Sequence, residues 1–252
     1  MFEIFIMFLI FWFWENLPVI YVHRDSSHRH CTFHPALVRV IHVMKWLRSF
    51  KYVAQWERLW AAAHRKHHAV ANTETENDPH SPYIKSLWFM VTKQRDWLTD
   101  NEIANWTRND HWPRTKFDDL LERFRVGPYI LLAVFLYFFS WPGIILWLAC
   151  LATHVIPGYF NYCAHVWPGY INAPNRGADR SRNLFPLMGL IYGGEEIHGN
   201  HHRWPNRVNF AVRWWEIDLG YALIKFLSWV GLVKFNYPLP PVTEELKVKF
   251  IK

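Results

Sequence analysis

The sequence is short of cysteine and of acidic residues, and it has no internal repeat or low-complexity tract. Three cysteines occur among 252 residues, Cys31, Cys150 and Cys163. None stand at metal-ligand spacing, which excludes a disulfide framework and a thiolate metal site. Asp and Glu total 21 against 28 Lys and Arg, a formal net charge of +7. No nucleic-acid recognition motif accompanies that surplus, so attraction to an anionic lipid leaflet is the better account and no nucleic-acid partner is expected. The N-terminal apolar stretch lacks a basic n-region and a small-residue cleavage site, which argues against a cleaved signal peptide.

What is abundant is aromatic and aliphatic surface. Half the residues are hydrophobic and 18% are aromatic, including 16 Trp. The mean hydropathy is nevertheless −0.10, because apolar and charged residues are segregated along the chain. Segregation of this kind suits a membrane protein with a polar cap, and Trp and Tyr favour the headgroup level; a large soluble core is the alternative.

Residues Phe2 to Val22 form a nearly unbroken apolar run, long enough at roughly twenty residues to cross a bilayer core. From His23 to Gly127 the chain is polar and basic, with amphipathic patches at Ala36 to Trp46 and Val53 to Ala63 that predict helices outside the hydrocarbon. The positive-inside rule puts this stretch in the cytoplasm. A second apolar block, Val126 to Tyr159, is interrupted at Trp141, Pro142 and Gly143. It reads either as one long span or as a tight hairpin whose arms each reach only ~24 Å of a ~30 Å core. After Asn161 the chain is polar to about Arg213, and Leu219 to Phe235, carrying Lys225 and Lys234, reads as an interfacial helix. The expected architecture is a single-domain, all-α membrane protein over residues 1–252. It has about three transmembrane helices, near 2–22, 126–140 and 144–160, and a cytoplasmic helical cap, 23–125 and 161–252, holding a dinuclear metal site.

Nine of the fifteen histidines fall into four clusters. His23 and His28 form the first. His64, His67 and His68 form the second, with i, i+3, i+4 spacing that puts them on one helix face. Asn161 and His165 stand one turn apart where the second apolar block ends, and His198, His201 and His202 repeat the His-x-x-His-His spacing. A first-row ion accepts at most about six donors and structural zinc about four, so nine imidazoles and an amide call for two ions in one shared site. Convergence requires every cluster to face the same side of the membrane, which favours the hairpin. Solvated histidines on amphipathic helices are the bland alternative for any one cluster. His30, His34, His42, His80 and His111 lack the spacing and are assigned ordinary roles; His154, inside the apolar block, is the one to watch. Candidates for orienting the imidazoles are Asp25, Asp78, Glu195 and Glu196.

The order His-Arg-x-x-x-His-Arg, Trp-x-x-x-His-Arg-x-His-His with Asp-Pro-His-Ser, Asn-x-x-x-His, and Gly-Glu-x-x-His-x-Asn-His-His resembles the membrane fatty-acid desaturase family of the acyl-CoA and acyl-lipid type, over about residues 18–210. The resemblance implies two iron ions held by His23, His28, His64, His67, His68, His165, His198, His201 and His202. Asn161 then acts through a water. It further implies dioxygen as co-substrate, a kinked hydrophobic tunnel, and oxidation of an acyl chain most often between carbons nine and ten. Ala62 and Ala63 stand where animal-type acyl-CoA enzymes carry Arg-Asp, Asp25 and Ser26 replace the usual apolar residues of the first cluster, and Glu196 replaces a customary Gly. The substrate is accordingly an acyl lipid or an acyl thioester. Arg65, Lys66, Arg176, Arg180 and Arg203 are the candidate headgroup contacts. No haem-carrier domain is legible, so a separate electron donor, ferredoxin-like or a haem carrier, is expected.

An unactivated C–H bond cannot be broken by acid or base alone, which calls for redox metal and oxygen. The nearest alternative is a hydroxylase with the same metals, and a non-enzymatic metal or haem carrier is the reading from another class.

Overall fold

The computed structural model describes residues 2–51, 56–71, 78–79, 81–93, 96–110, 112, 115–153, 155–185, 189–242 and 246–251. Apart from Glu3 in its first turn, helix α1, Phe2–Ile20, is aromatic and aliphatic through its first half, where Phe2, Ile4 and Phe5 stay exposed. From Trp12 onward it turns into the protein and buries Glu15, Asn16 and Leu17. It then passes into a π-helical segment, Tyr21–Ser27. Together they make a 26-residue helix, Phe2–Ser27, that is long and apolar enough to cross a membrane. The expected end at Val22 is overrun, and His23 sits on the continuation of the same helix. Wide π turns recur at functional sites because they re-aim side chains that an α-helix would direct elsewhere.

Strand β1, Cys31–Phe33, leads into α2, Pro35–Leu47, which begins with Pro at its first position and His34 as N-cap. Helix α3, Trp56–Val70, carries a fully buried Ala61-Ala62-Ala63 run that lets it lie close against the π-helical segment. Three short helices follow: α4, Leu87–Thr92; α5, Asp100–Trp106; and α6, Lys116–Arg123. The last two start in capping boxes, Thr99 with Glu102 and Thr115 with Asp118.

Helices α7, Gly127–Phe139, and α8, Pro142–Ala152, fold back on each other, which decides for the hairpin. Ser140 takes a left-handed φ of 53° at the turn, and a Cβ on Gly143 would stand 2.3 Å from the Phe135 carbonyl oxygen, so the arms touch only because that side chain is missing. The second arm is shorter than expected. It stops at Ala152, and α9, Ile156–Val166, restarts at a bend of 61° with Pro157 in its first turn. Proline brings no N–H and cannot continue the earlier helix. His154 lies outside the described residues, as do His80 and His111.

Beyond β2, Gly169–Ile171, come α10, Gly189–Tyr192, α11, His198–Arg203, and α12, Leu219–Trp229. The single interfacial helix expected over Leu219 to Phe235 is thus two elements, since Gly231 at φ 79° ends the helical stretch and Val233–Phe235 is strand β3. It pairs antiparallel with β1, and β4, Lys249–Ile251, pairs with β2. The chain is therefore mostly helical rather than all-α. Each strand gains its partner across 78 positions or more, which no local pattern announces. The main core joins Ile20 and Val22 to Phe33, Ile41, Ala62, Ala63 and Ile224.

Beside that core, Glu57 Oε1 forms ion pairs with His42 Nε2 at 2.8 Å and Lys45 Nζ at 3.1 Å. Burial alone would raise its carboxyl, but Lys45 and His42 outweigh it and hold it at about 2. A depressed carboxyl stabilises the fold above its unfolded pKa of about 4.5, and that contribution is lost as pH falls from there through 2. Thermal unfolding should show wild type losing stability across this window and Glu57→Gln, already less stable at neutral pH, falling less steeply. Parallel curves would refute the assignment.

Candidate metal centre

The π-helical segment, α3, α9 and α11 bring the four histidine clusters to one place. Four imidazoles, His23, His28, His64 and His201, have ring nitrogens all within 4.8 Å of one another, and His67, His165, His198 and His202 form a second such group. His68 completes the set, its Nε2 lying 3.0 Å from His64 Nε2 and 2.8 Å from His201 Nε2. Each His-x-x-His-His triple is divided between groups: His64 and His68 turn to the first and His67 to the second, while His201 turns to the first and His198 and His202 to the second. One helical turn therefore holds both groups at a fixed separation, instead of gripping one ion with one face.

The spacing of the nitrogens fits metal coordination. With metal–nitrogen bonds of about 2.1 Å, neighbouring ligands stand ~3.0 Å apart in octahedral and ~3.4 Å apart in tetrahedral geometry. Here His23 and His201 Nε2 are 2.9 Å apart, His28 and His64 2.9 Å, His64 and His201 3.3 Å, His67 and His165 3.3 Å, and His165 and His198 3.2 Å. Hydrogen bonding among the rings does not explain this. His201 Nε2 meets three other Nε2 atoms, and one ring N–H serves only one acceptor.

Carboxylates settle the tautomer of three rings. His23 Nδ1 donates to Glu195, His67 Nδ1 to Asp78 Oδ1 at 2.9 Å, and His202 Nδ1 to Asp179 Oδ2 at 3.1 Å. A proton held at Nδ1 leaves Nε2 as a bare lone pair aimed into the cluster, as a metal ligand requires. Burial, reinforced by neighbouring imidazoles, pushes His28, His68 and His201 well below the usual histidine range and His198 down to about 3, so these rings are neutral. Burial would raise Glu195, but His23 and Arg24 outweigh it and keep the carboxylate ionised. Metals with an affinity for nitrogen, iron among them, match this donor set.

Of the expected orienting acids, Asp78 and Glu195 reach an imidazole, while Asp25 accepts the Phe33 N–H at 2.8 Å. Glu196 is 1% exposed with neither carboxylate oxygen hydrogen-bonded, and burial raises its carboxyl well above the ordinary range. Asp179 was missed: it lies in a loop 23 residues from His202 with no periodic signal around it. Removing such a partner typically lowers metal affinity 10–100-fold. Asp179→Asn should lose metal to a competing chelator that much more readily with little change in melting temperature, and an unchanged affinity would show that Asp179 does not orient His202.

Arg24 was also missed, although it adjoins His23. It is fully buried, and its guanidinium meets Asp218 at 2.9 and 3.0 Å, the Val208 carbonyl, and Glu195 at 3.4 Å. Asp218, Arg24, Glu195 and His23 thus form one chain. The loop that delivers Glu195 passes so close that a Cβ on Gly194, at φ 93°, would stand 2.3 Å from Asp218 Oδ1. On the far side, Asn200 of α11 accepts from Asn172 and Asn183 and donates to Glu216 at 3.0 Å, which fixes the rotation of the helix bearing His198, His201 and His202.

The candidate headgroup residues fare differently. Arg65 donates to the Ser26, Ser27 and Trp106 carbonyls and pairs with Asp110, tying α3 to the π-helical segment, and Lys66 pairs with Glu102 at 2.6 Å. Arg176 and Arg180 are exposed, Arg180 lying over the Tyr83 ring, and Arg203 is half-buried on α11. His30 Nε2–H donates to the Pro205 carbonyl at 2.8 Å, and His34 caps α2. Asn161, 8% exposed, lines a cavity of about 50 Å³ that also touches His23, His64 and His198, with Val19, Ile156, Pro157 and Phe160 as apolar walls.

A mostly helical protein whose histidines are gathered into two adjoining groups that could each hold a metal ion, beside a cavity with apolar walls, has the outline of a metal-dependent enzyme. A family model described as fatty acid desaturase matches residues 1–226, and the chain belongs to that family. It is 25% identical over 244 residues to delta-9 acyl-lipid desaturase 1 of Arabidopsis thaliana, covering 91% of this chain and 73% of that one. Acyl-CoA C20 delta5-desaturase of Anemone leveillei is 27% identical over 238 residues, 90% of this chain and 71% of the relative. The sn-1 stearoyl-lipid 9-desaturase of Synechocystis is 29% identical over 191 residues, 73% and 56% of the two chains. The protein is an oxidoreductase of the fatty acid desaturase family, and its substrate is a fatty acyl chain.

Proposed function

We propose that this chain is an oxygen-dependent, delta-9 type desaturase of an acyl lipid or acyl thioester, working at two irons held by the nine histidines, with Asn161 contributing through a water. The observation that carries the reading is the division of each His-x-x-His-His triple between two adjoining groups of imidazoles. Relatives named for delta-9 acyl-lipid and stearoyl-lipid desaturation support the position and the lipid substrate. Iron bound there, with dioxygen and electrons from a separate carrier, supplies the one-electron chemistry that an unactivated C–H bond demands.

The residues of the chain do the rest. Glu195, Asp78 and Asp179 hold the Nδ1 protons of His23, His67 and His202 and keep those rings from turning. The walls of the cavity exclude water and hold a methylene pair beside His23, His64 and His198. Phe2–Ser27 anchors the enzyme in the bilayer, the hairpin of α7 and α8 enters from the same side, and the cap with its histidines lies in the cytoplasm.

Expression in a host lacking unsaturated lipids tests this reading. Wild type should introduce a double bond and His201→Ala should not; a product heavier by one oxygen would mark a hydroxylase instead. A wild-type lipid profile identical to the empty vector under aerobic, iron-replete conditions would sink the proposal.

A further inference from the structure

His64 of the first histidine group is the inner end of a row of indoles. On α3, Trp56, Trp60, His64 and His68 follow one another every fourth position and so share one stripe of the helix. The Trp60 ring lies nearly parallel to that of His64, with 7° between the planes and centroids 6.4 Å apart, and Trp56 stacks on Trp60 at 5.4 Å. Trp97, from the segment before α5, meets Trp60 at 5.5 Å. Trp60 and Trp97 are buried and Trp56 is partly exposed, so the row leads from the histidines toward solvent. Trp60 also lines the apolar cavity together with His64. Lys45 Nζ stands 5.1 Å from the Trp56 ring, but Glu57 at 3.1 Å takes up its charge, so the outer indole faces no uncompensated cation.

Rings that only fill a core supply volume, which Leu or Phe supplies as well. An indole adds something else: it gives up one electron more readily than the other apolar side chains, and rings in contact pass the vacancy on. A site that activates dioxygen must also exclude competing reactions. When no acyl chain is there to be oxidised, its own imidazoles are the nearest targets. We propose that Trp60, Trp97 and Trp56 drain unspent oxidising equivalents away from the histidines and carry them to the surface. This rests on the desaturase reading above, in which the oxidant is derived from dioxygen at the irons. Each withdrawal moves one electron from Trp60 to the oxidised centre, and Trp56 refills Trp60. Two withdrawals, with one water, hydroxylate the Trp56 ring, two protons passing to solvent and two electrons to the centre.

The test gives the iron-loaded full chain in detergent a chemical reductant and dioxygen without acyl substrate, then maps oxygen incorporation by peptide mass spectrometry. The metal-free chain treated with added peroxide supplies the pattern left by diffusing oxidants. That pattern should favour Trp214 and Trp229, which are 94% and 82% exposed. In the iron-loaded wild type, oxygen should instead collect on Trp56. Trp60→Phe keeps a ring of similar shape that holds its electrons more firmly. It should abolish incorporation at Trp56 and shift the damage to the peptide bearing His64 and His68. Trp56→Phe, outside the cavity, should leave the oxygen on Trp60 and Trp97.

An iron-loaded pattern that matches the metal-free one overturns the proposal. So does incorporation at Trp56 that Trp60→Phe leaves unchanged, or a chain that desaturates in the host but consumes no dioxygen without acyl substrate. A wild type that makes no unsaturated product in the host is the separate failure of the desaturase reading.

Discussion

If the proposed two-iron centre is right, purified wild type should hold two tightly bound irons per chain and His201→Ala at most one, with desaturation falling on the order of 10³-fold or more, the scale seen when one member of a group acting as a unit is removed. The reason is positional. His201 Nε2 lies within 2.9 Å of His23 Nε2 and 2.8 Å of His68 Nε2 and within 3.3 Å of His64 Nε2, so its loss opens one face of the first group. The second group, His67, His165, His198 and His202, keeps its full complement. Metal analysis of protein solubilised in detergent distinguishes the cases: two irons retained by the variant would show that His201 is not a ligand, whatever the activity.

The second large effect concerns Arg24, which touches no metal. Arg24→Met leaves Asp218 and Glu195 as buried carboxylates without their guanidinium, a change that costs about 3–5 kcal/mol when one partner of a buried pair is removed. In a chain of this size that is a fall of roughly 10 °C or more in melting temperature. Adding Asp218→Asn should recover part of the loss by removing one stranded charge. A melting temperature within a degree or two of wild type would mean that the Asp218, Arg24, Glu195 and His23 chain does not hold the first cluster against the fourth.

The two results probe different contributions to one centre. Ligand loss acts on the metal directly, whereas Arg24 acts on the docking of elements 169 or more positions apart, the π-helical segment and the loop from Gly193 to Glu195. A centre assembled from four separated segments has no local stability to fall back on, so charge pairs between segments matter as much as ligands.

Several features were legible in the residues alone. Phe2 to Trp14 is almost unbroken apolar surface, interrupted at Glu3 and followed, after Glu15 and Asn16, by a further apolar stretch to Val22, which is the pattern a bilayer helix needs. His64, His67 and His68, and again His198, His201 and His202, declare a helical face by spacing, and the structure gathers the histidines into two groups that could each hold an ion. The turn at Trp141 to Gly143 was legible in kind because proline and glycine act through the backbone, not through distant partners.

What only the tertiary structure decided has a common cause: it depends on the rotation and approach of elements that meet late. Spacing puts three imidazoles on one side of α3, but which of them turns to which histidine group depends on where the π-helical segment and α11 lie, and Asn200 with Glu216 fixes the latter. Asp179 and Arg24 became part of the centre through contacts at separations of 23 and 194 positions, where no periodic pattern reaches. The strands β1 to β4 exist only as pairs, and the break between α8 and α9 depends on packing around Pro157. Ligand identity is chemistry that a residue carries with it, whereas ligand grouping is geometry that the whole chain must supply.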